Sequence, residues 1–137
     1  MTFKKLSVKL LLLFSLVHFS ILAQNDTIRV KKIHNYYPSI SGIQFGNIPY
    51  WKLCASEGIQ TKAESHIMSF DLQYWGRYGL IQQHIAGNRI PDSVCTQISV
   101  YGLNNMIFFT NIRSILPDSG KVIHLSPMNL MPIKEYD

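Results

Sequence analysis

Across residues 66–75 every second residue is large and apolar: Met68, Phe70, Leu72 and Tyr74 alternate with Ser69, Asp71 and Gln73. Successive side chains of an extended strand point to opposite faces, so this pattern makes one buried and one wet face, which a 3.6-residue period cannot do. It predicts a half-buried central strand. Shorter segments of the same kind recur between turn formers. Ile28 and Val30 alternate with Arg29 and Lys31 over residues 27–33, predicting a first strand. Trp51, Leu53 and Ala55 alternate with Lys52, Cys54 and Ser56 in a second, which Glu57-Gly58 ends before Ile59 opens another short one. The Tyr36 to Gly42 stretch and the break at Gly46-Asn47 read as loop or weak edge strand. After the Gly76-Arg77-Tyr78-Gly79 turn, residues 80–85 give a further strand.

The period then changes. Asp92 or Ser93 can cap a helix whose apolar positions Val94, Ile98 and Tyr101 recur at helical spacing, ending near Gly102. Residues 106–112 are almost continuously apolar, as in a strand buried on both faces, and Pro117-Asp118-Ser119-Gly120 turns them into residues 121–125. Pro127 and Pro132 interrupt the tail, which places the last strand at an edge. About seven short strands with close turns and one short helix predict a mainly β chain, an immunoglobulin-like β-sandwich.

The N-terminus carries a different signal. Lys4, Lys5 and Lys9 precede the apolar residues 10–22, which end at Ala23 before Gln24-Asn25-Asp26, the order of a secretory leader. The expected cleavage after Ala23 makes residues 1–23 a signal peptide and residues 24–137 a single domain, exported to the periplasm or secreted. A membrane anchor is the rival, but the run is shorter than a span of about 20 residues and contains Ser15, His18 and Ser20. No membrane span is expected after cleavage, and no cysteine follows the apolar run to take a lipid.

Three of the thirteen Lys and Arg leave with the leader while all eight Asp and Glu stay, so the net charge falls from +5 to +2. Nucleic-acid binding needs clustered cations. Only Arg29, Lys31 and Lys32 group tightly, so no nucleic-acid partner is expected. Cys54 and Cys95 both remain in an oxidising compartment, where one disulfide is permitted and two separate core thiols is the plainer reading. Two cysteines do not fill a structural zinc site.

Searching for chemistry returns little. His34, His66, His84 and His124 fall in no metal-binding spacing. Ser41-Gly42 and Ser119-Gly120 lack the first glycine of a nucleophile elbow, no phosphate-cradling glycine loop is present, and no local motif pairs Glu57, Glu64, Asp71, Asp92 or Asp118 across a substrate. The expectation is a non-enzyme with no catalytic residues, no cofactor and no metal. Aromatics are the remaining candidates. In each of the pairs Tyr50-Trp51 and Tyr74-Trp75 one ring should enter the core and the other reach the surface, where flat rings bind sugars or proteins. Tyr36, Tyr37, Trp51 and Trp75 are thus the candidate interaction surface, with ordinary cross-strand packing as the plainer alternative.

Three stretches in order carry a family likeness: Leu53-Cys54-Ala55-Ser56-Glu57-Gly58-Ile59-Gln60-Thr61-Lys62; Met68-Ser69-Phe70-Asp71-Leu72; and Phe108-Phe109-Thr110-Asn111-Ile112 with Pro117-Asp118-Ser119-Gly120 and Leu125-Ser126-Pro127-Met128. Over residues 42–133 the chain resembles the C-terminal domain of the GldM family of gliding-motility and type IX secretion proteins. The motif positions are Gly58, Ile59, Phe70, Asn111, Ile112, Pro117, Asp118, Gly120 and Pro127, and none is catalytic. The resemblance implies a periplasmic β-sandwich that assembles with other envelope proteins, catalyses nothing and holds no cofactor. This chain departs from the family in having a leader and one domain in place of a membrane helix and several domains, an additional Ser119 in the hairpin, and His124 where the family tends to carry arginine. The expectation is an exported interaction module that binds envelope proteins, or a second copy of itself, through strand edges or exposed aromatics. The alternative is a glycan-binding β-sandwich.

Overall fold

In the computed structural model, which describes residues 36–135, the chain runs β1 (Ser39–Ile40), β2 (Phe45–Pro49), α1 (Tyr50–Ala55), β3 (Ile59–Gln60), β4 (His66–Gly76), β5 (Gly79–Ala86), α2 (Asp92–Gln97) with a wider π-type turn over Ile98–Gly102, β6 (Ile107–Ile115), β7 (Val122–His124) and β8 (Met128–Ile133). The leader, the strand expected over residues 27–33 with its Arg29, Lys31 and Lys32, and His34 lie outside the described residues. The fold is mainly β. Six strands form one sheet in the order β2-β8-β6-β4-β5, with β7 on β6, and β1 and β3 form a two-stranded antiparallel ribbon. Two sheets and two short helices are consistent with a small β-sandwich. Every pairing is antiparallel except β2 with β8.

The alternation over residues 66–75 works as expected: Phe70, Leu72 and Tyr74 are buried while Trp75 is exposed. Irregularities between Ile67 and Ser69, and between Ser69 and Asp71, shift the register against β6, so Ser69 is buried as well. Asn111 lies opposite the second irregularity at φ 48°, a left-handed conformation that asparagine tolerates better than most residues. Phe70 and Phe109 meet at the centre of the core with ring centroids 5.7 Å apart. Ser114, fully buried, donates from Oγ to Ser65 Oγ at 2.8 Å, and Ser65 pairs with Thr61 at 2.9 Å, so no hydroxyl of this group is buried without a partner.

Five expectations need correction. Residues 50–55 form a helix, α1, where a strand was expected. In six residues the two periods nearly coincide, and Tyr50, Leu53 and Cys54 also lie at i, i+3 and i+4 on one helical face. Tertiary bonds decide between them: Tyr50 donates its hydroxyl to Cys95 C=O at 3.0 Å, and Cys54 is disulfide-bonded to Cys95 with Cα atoms 5.9 Å apart. The two separate thiols of the plainer reading are therefore not found. α2 appears where a helix was expected, but neither Asp92 nor Ser93 caps it; Pro91 holds the cap position and Asp92 lies in the first turn.

β6 is not buried on both faces. Ile107, Phe109 and Ile112 are buried while Phe108, Asn111 and Arg113 are exposed, because one side of the sheet has no covering layer among the described residues. The last strand is not at an edge either: β8 lies between β2 and β6. Pro132 is tolerated because N and C=O of one strand residue point the same way. Its carbonyl accepts from Asn104 N–H at 2.8 Å, on the side where β6 pairing has already ended at Ile107–Leu130, so no ladder donor is missing. The hairpin over Pro117-Asp118-Ser119-Gly120 forms as expected, with Gly120 at φ 66° donating to Leu116 C=O at 3.0 Å.

Candidate interaction surface

The helices and the core lie on one side of the six-stranded sheet, and among the described residues its other side is uncovered. Register fixes what lines that open side. Phe45 and Phe108 both pair with Asn129, one from each neighbouring strand; Phe108 also pairs with Gln73, and Gln73 with Gln82. Directly opposed residues share a face, so one row runs Phe45, Asn129, Phe108, Gln73, Gln82 across five strands. Phe45 is 60% exposed and Phe108 39% exposed. Two strand spacings put their backbones roughly 9–10 Å apart. Gln73 Nε2 donates to Gln82 Oε1 at 3.2 Å, which fixes the amide end of the row. Trp75 follows two residues beyond Gln73 and pairs with Leu80, and both are exposed.

On the other flank of this row Asp71 pairs with His84 on β5 and Thr110 on β6. His84 Nδ1 donates to Asp71 Oδ1 at 2.6 Å, and Asn111 Nδ2 donates to Asp71 Oδ2 at 3.2 Å. The hydrogen bond from His84 holds the Asp71 carboxyl below its ordinary range; burial opposes this, and the Asn111 amide adds to the lowering. A depressed carboxylate stabilises the fold above its unfolded-state pKa, and that contribution disappears as pH falls through its folded-state value. The His84→Ala variant should therefore raise the Asp71 titration midpoint, read by carbon-detected NMR, and narrow the acid side of the stability profile. An unmoved midpoint would place the cause elsewhere.

The structure does not assemble the four aromatics expected from sequence into one site. Trp75 belongs to the open face. Trp51 projects from α1, with Nε1 donating to Glu135 Oε2 at 2.6 Å and Lys52 Nζ 5.2 Å from its ring centroid. Tyr36 packs against the core, and Tyr37 is exposed ahead of β1. Both adjacent pairs do split as expected: Tyr50 and Tyr74 turn inward, Trp51 and Trp75 outward. Sequence reasoning missed Phe45, Phe108 and Leu80. Polar Asn111 and Arg113, alternating with Ile112, were the available sign that β6 has a wet face.

The motif positions are architectural in this fold. Ile59, Phe70 and Ile112 are core residues, Asn111 is at the irregularity of β6, and Gly58 opens the turn into β3. Pro117, Asp118 and Gly120 make the hairpin loop, and Pro127 precedes β8. Among the described residues no three His, Cys, Asp or Glu side chains gather as a metal-binding group, and no helix is long and apolar enough to cross a membrane. No protein-family model and no curated protein matches the chain.

Proposed function

We propose that this chain is an exported, non-enzymatic interaction module of the cell envelope that binds its partner on the open face of the six-stranded sheet. The observation that carries the reading is the set of exposed rings, Phe45, Phe108 and Trp75, held on a rigid sheet and bordered by Leu80. Large exposed aromatics on a fixed scaffold lose little conformational entropy on binding and are typical interface anchors. The leader-like N-terminus and the resemblance to the GldM C-terminal domain support a partner among gliding-motility or type IX secretion components. An immunoglobulin-like architecture for the sandwich belongs to the same proposal, supported by the predominantly antiparallel pairing and the single disulfide.

The test is cross-linked capture from the host envelope with the wild-type domain and with a Phe45→Ser, Phe108→Ser, Trp75→Ala variant. Recovery of secretion or motility components that falls severalfold in the folded variant is the expected result. Equal recovery from both would end the reading.

A second reading has its own observation. Beside the rings lie uncharged hydrogen-bonding side chains, Asn129, Gln73, Gln82 and Thr110, the combination that takes the C–H faces and hydroxyls of a sugar chain. Glycan binding predicts that Trp75 emission changes on titration with a polysaccharide, over a constant background from Trp51. Flat titrations across a panel of host envelope glycans would remove it.

A further inference from the structure

Among the described residues β5 is an edge strand of eight residues, paired on one side only, with β4. Its hydrogen-bonding phase can be read from its end: Gly87 N–H donates to Met68 C=O at 2.6 Å. Antiparallel strands alternate between bonded and non-bonded pairs, so with Gly87–Met68 bonded, Ile85–Phe70, Gln83–Leu72 and Ile81–Tyr74 are the bonded pairs. Leu80, Gln82 and His84 then turn their backbone N–H and C=O away from β4.

Long free edges invite pairing, and proteins blunt them with charge, proline, bulges or shortness. The other edges of this molecule follow that rule. β2 has Gly46 at φ 89° and ends in Pro49, while β7 is three residues long and preceded by Lys121. β5 has none of these devices: the sequence Gly-Leu-Ile-Gln-Gln-His-Ile-Ala contains no Lys, Arg, Asp, Glu or Pro, and its register against β4 is unbroken.

We infer that the β5 edge pairs with the β5 edge of a second copy of this chain, antiparallel about a two-fold axis at Gln82, to make one sheet continuous through both. A strand without Lys, Arg, Asp or Glu sets no such like charges against each other when it faces itself, and a two-fold contact requires that self-complementarity. Centred on Gln82, the register sets Gln82 opposite the second copy's Gln82, where each amide can donate and accept, and Leu80 opposite the second copy's His84. The backbone groups turned outward by these residues become the new ladder. Because the axis is normal to the sheet, both open faces stay on the same side, and each copy's Phe45, Asn129, Phe108, Gln73, Gln82 row continues into the other. The inference stands apart from the open-face reading, since a dimer that binds nothing and a monomer that binds through Phe108 would each separate the two.

The test is sedimentation equilibrium of the disulfide-bonded protein across the micromolar range, with Gln82→Pro and Gln82→Lys. Neither substitution removes a backbone bond to β4, because the Gln82 N–H faces outward, and both lose the same exposed side-chain bond from Gln73; the first deletes a ladder donor, and the second sets two ammonium groups against each other at the axis. A wild-type dimer whose Kd rises at least about tenfold in both folded variants is expected. A wild type that stays monomeric, or a dimer indifferent to both substitutions, overturns the inference. So does a monomer with Leu80, Gln82 and His84 amides protected from hydrogen exchange, which would mean that the same chain covers its own edge.

Discussion

A Cys54→Ala, Cys95→Ala variant, or the wild type under reducing conditions, should lose about 3–4 kcal/mol of stability. The bridge closes a long loop, with a sequence separation of 41 residues, and joins α1 to α2. Each helix has six residues, too few to be stable alone, so each depends on its attachment to the sheet. α1 buries only Leu53 fully, and α2 only Val94 and Cys95. Without the bridge, the Tyr50 hydroxyl bond to Cys95 C=O is the remaining polar link between the helices. For a domain of this size the loss corresponds to a fall in Tm of roughly 15 °C or more. Calorimetry of oxidised, reduced and double-variant protein is the measurement. Identical transitions in all three would show that the helices dock through packing alone.

Gly58→Ala is expected to cost about 2–4 kcal/mol, combining a left-handed conformation imposed on alanine with a clash that must be relieved. Gly58 sits at φ 90°, and a Cβ there would lie 2.3 Å from Asn88 O, a backbone atom. That carbonyl already accepts from Ile59 N–H at 2.8 Å, and Asn88 Nδ2 donates to Glu57 C=O at 2.7 Å, so the turn after β5 is bonded to both neighbours of the glycine and has little room to retreat. Gly42→Ala is the control: its φ is 79° but nothing lies within 4 Å of the added carbon, leaving only the conformational term of about 1–2 kcal/mol. Urea titrations of both variants, with unchanged slopes, would separate the clash from the strain. Equal losses would show that the Asn88 turn yields freely.

What could be read from the sequence follows the range of the interaction that decides each element. β4, β5 and the β6–β7 hairpin were legible because alternation and turn residues are local signals. α1 was not, since six residues satisfy either period and the choice rests on Cys95, far along the chain. Sequence could not place β8 inside the sheet, because that position depends on parallel pairing with β2, which leaves no local pattern. The open face was half legible. Trp75 followed from its adjacency to a core tyrosine, whereas Phe108 was absorbed into an apolar run and Phe45 was hidden by the Gly46-Asn47 break. An exposed phenylalanine and a buried one look alike in a sequence; only the missing layer over one side of the sheet distinguishes them.

The parallel pairing of β2 with β8 also orders events in time. Phe45 meets Asn129, a separation of 84 residues, and the Trp51 to Glu135 hydrogen bond spans the same interval. A chain emerging N-terminus first therefore holds β2 and α1 without their sheet neighbour until its final strand arrives, while β4, β5, β6 and β7 can pair as they appear. Closure over so long a loop is entropically costly and slow. The set β4 to β7, in which β5 and β6 flank β4 and β7 pairs with β6, is the part suited to form first, with β8 and then β2 completing the sheet last, so the ring on Phe45 takes its place in the outer row only at the end of folding.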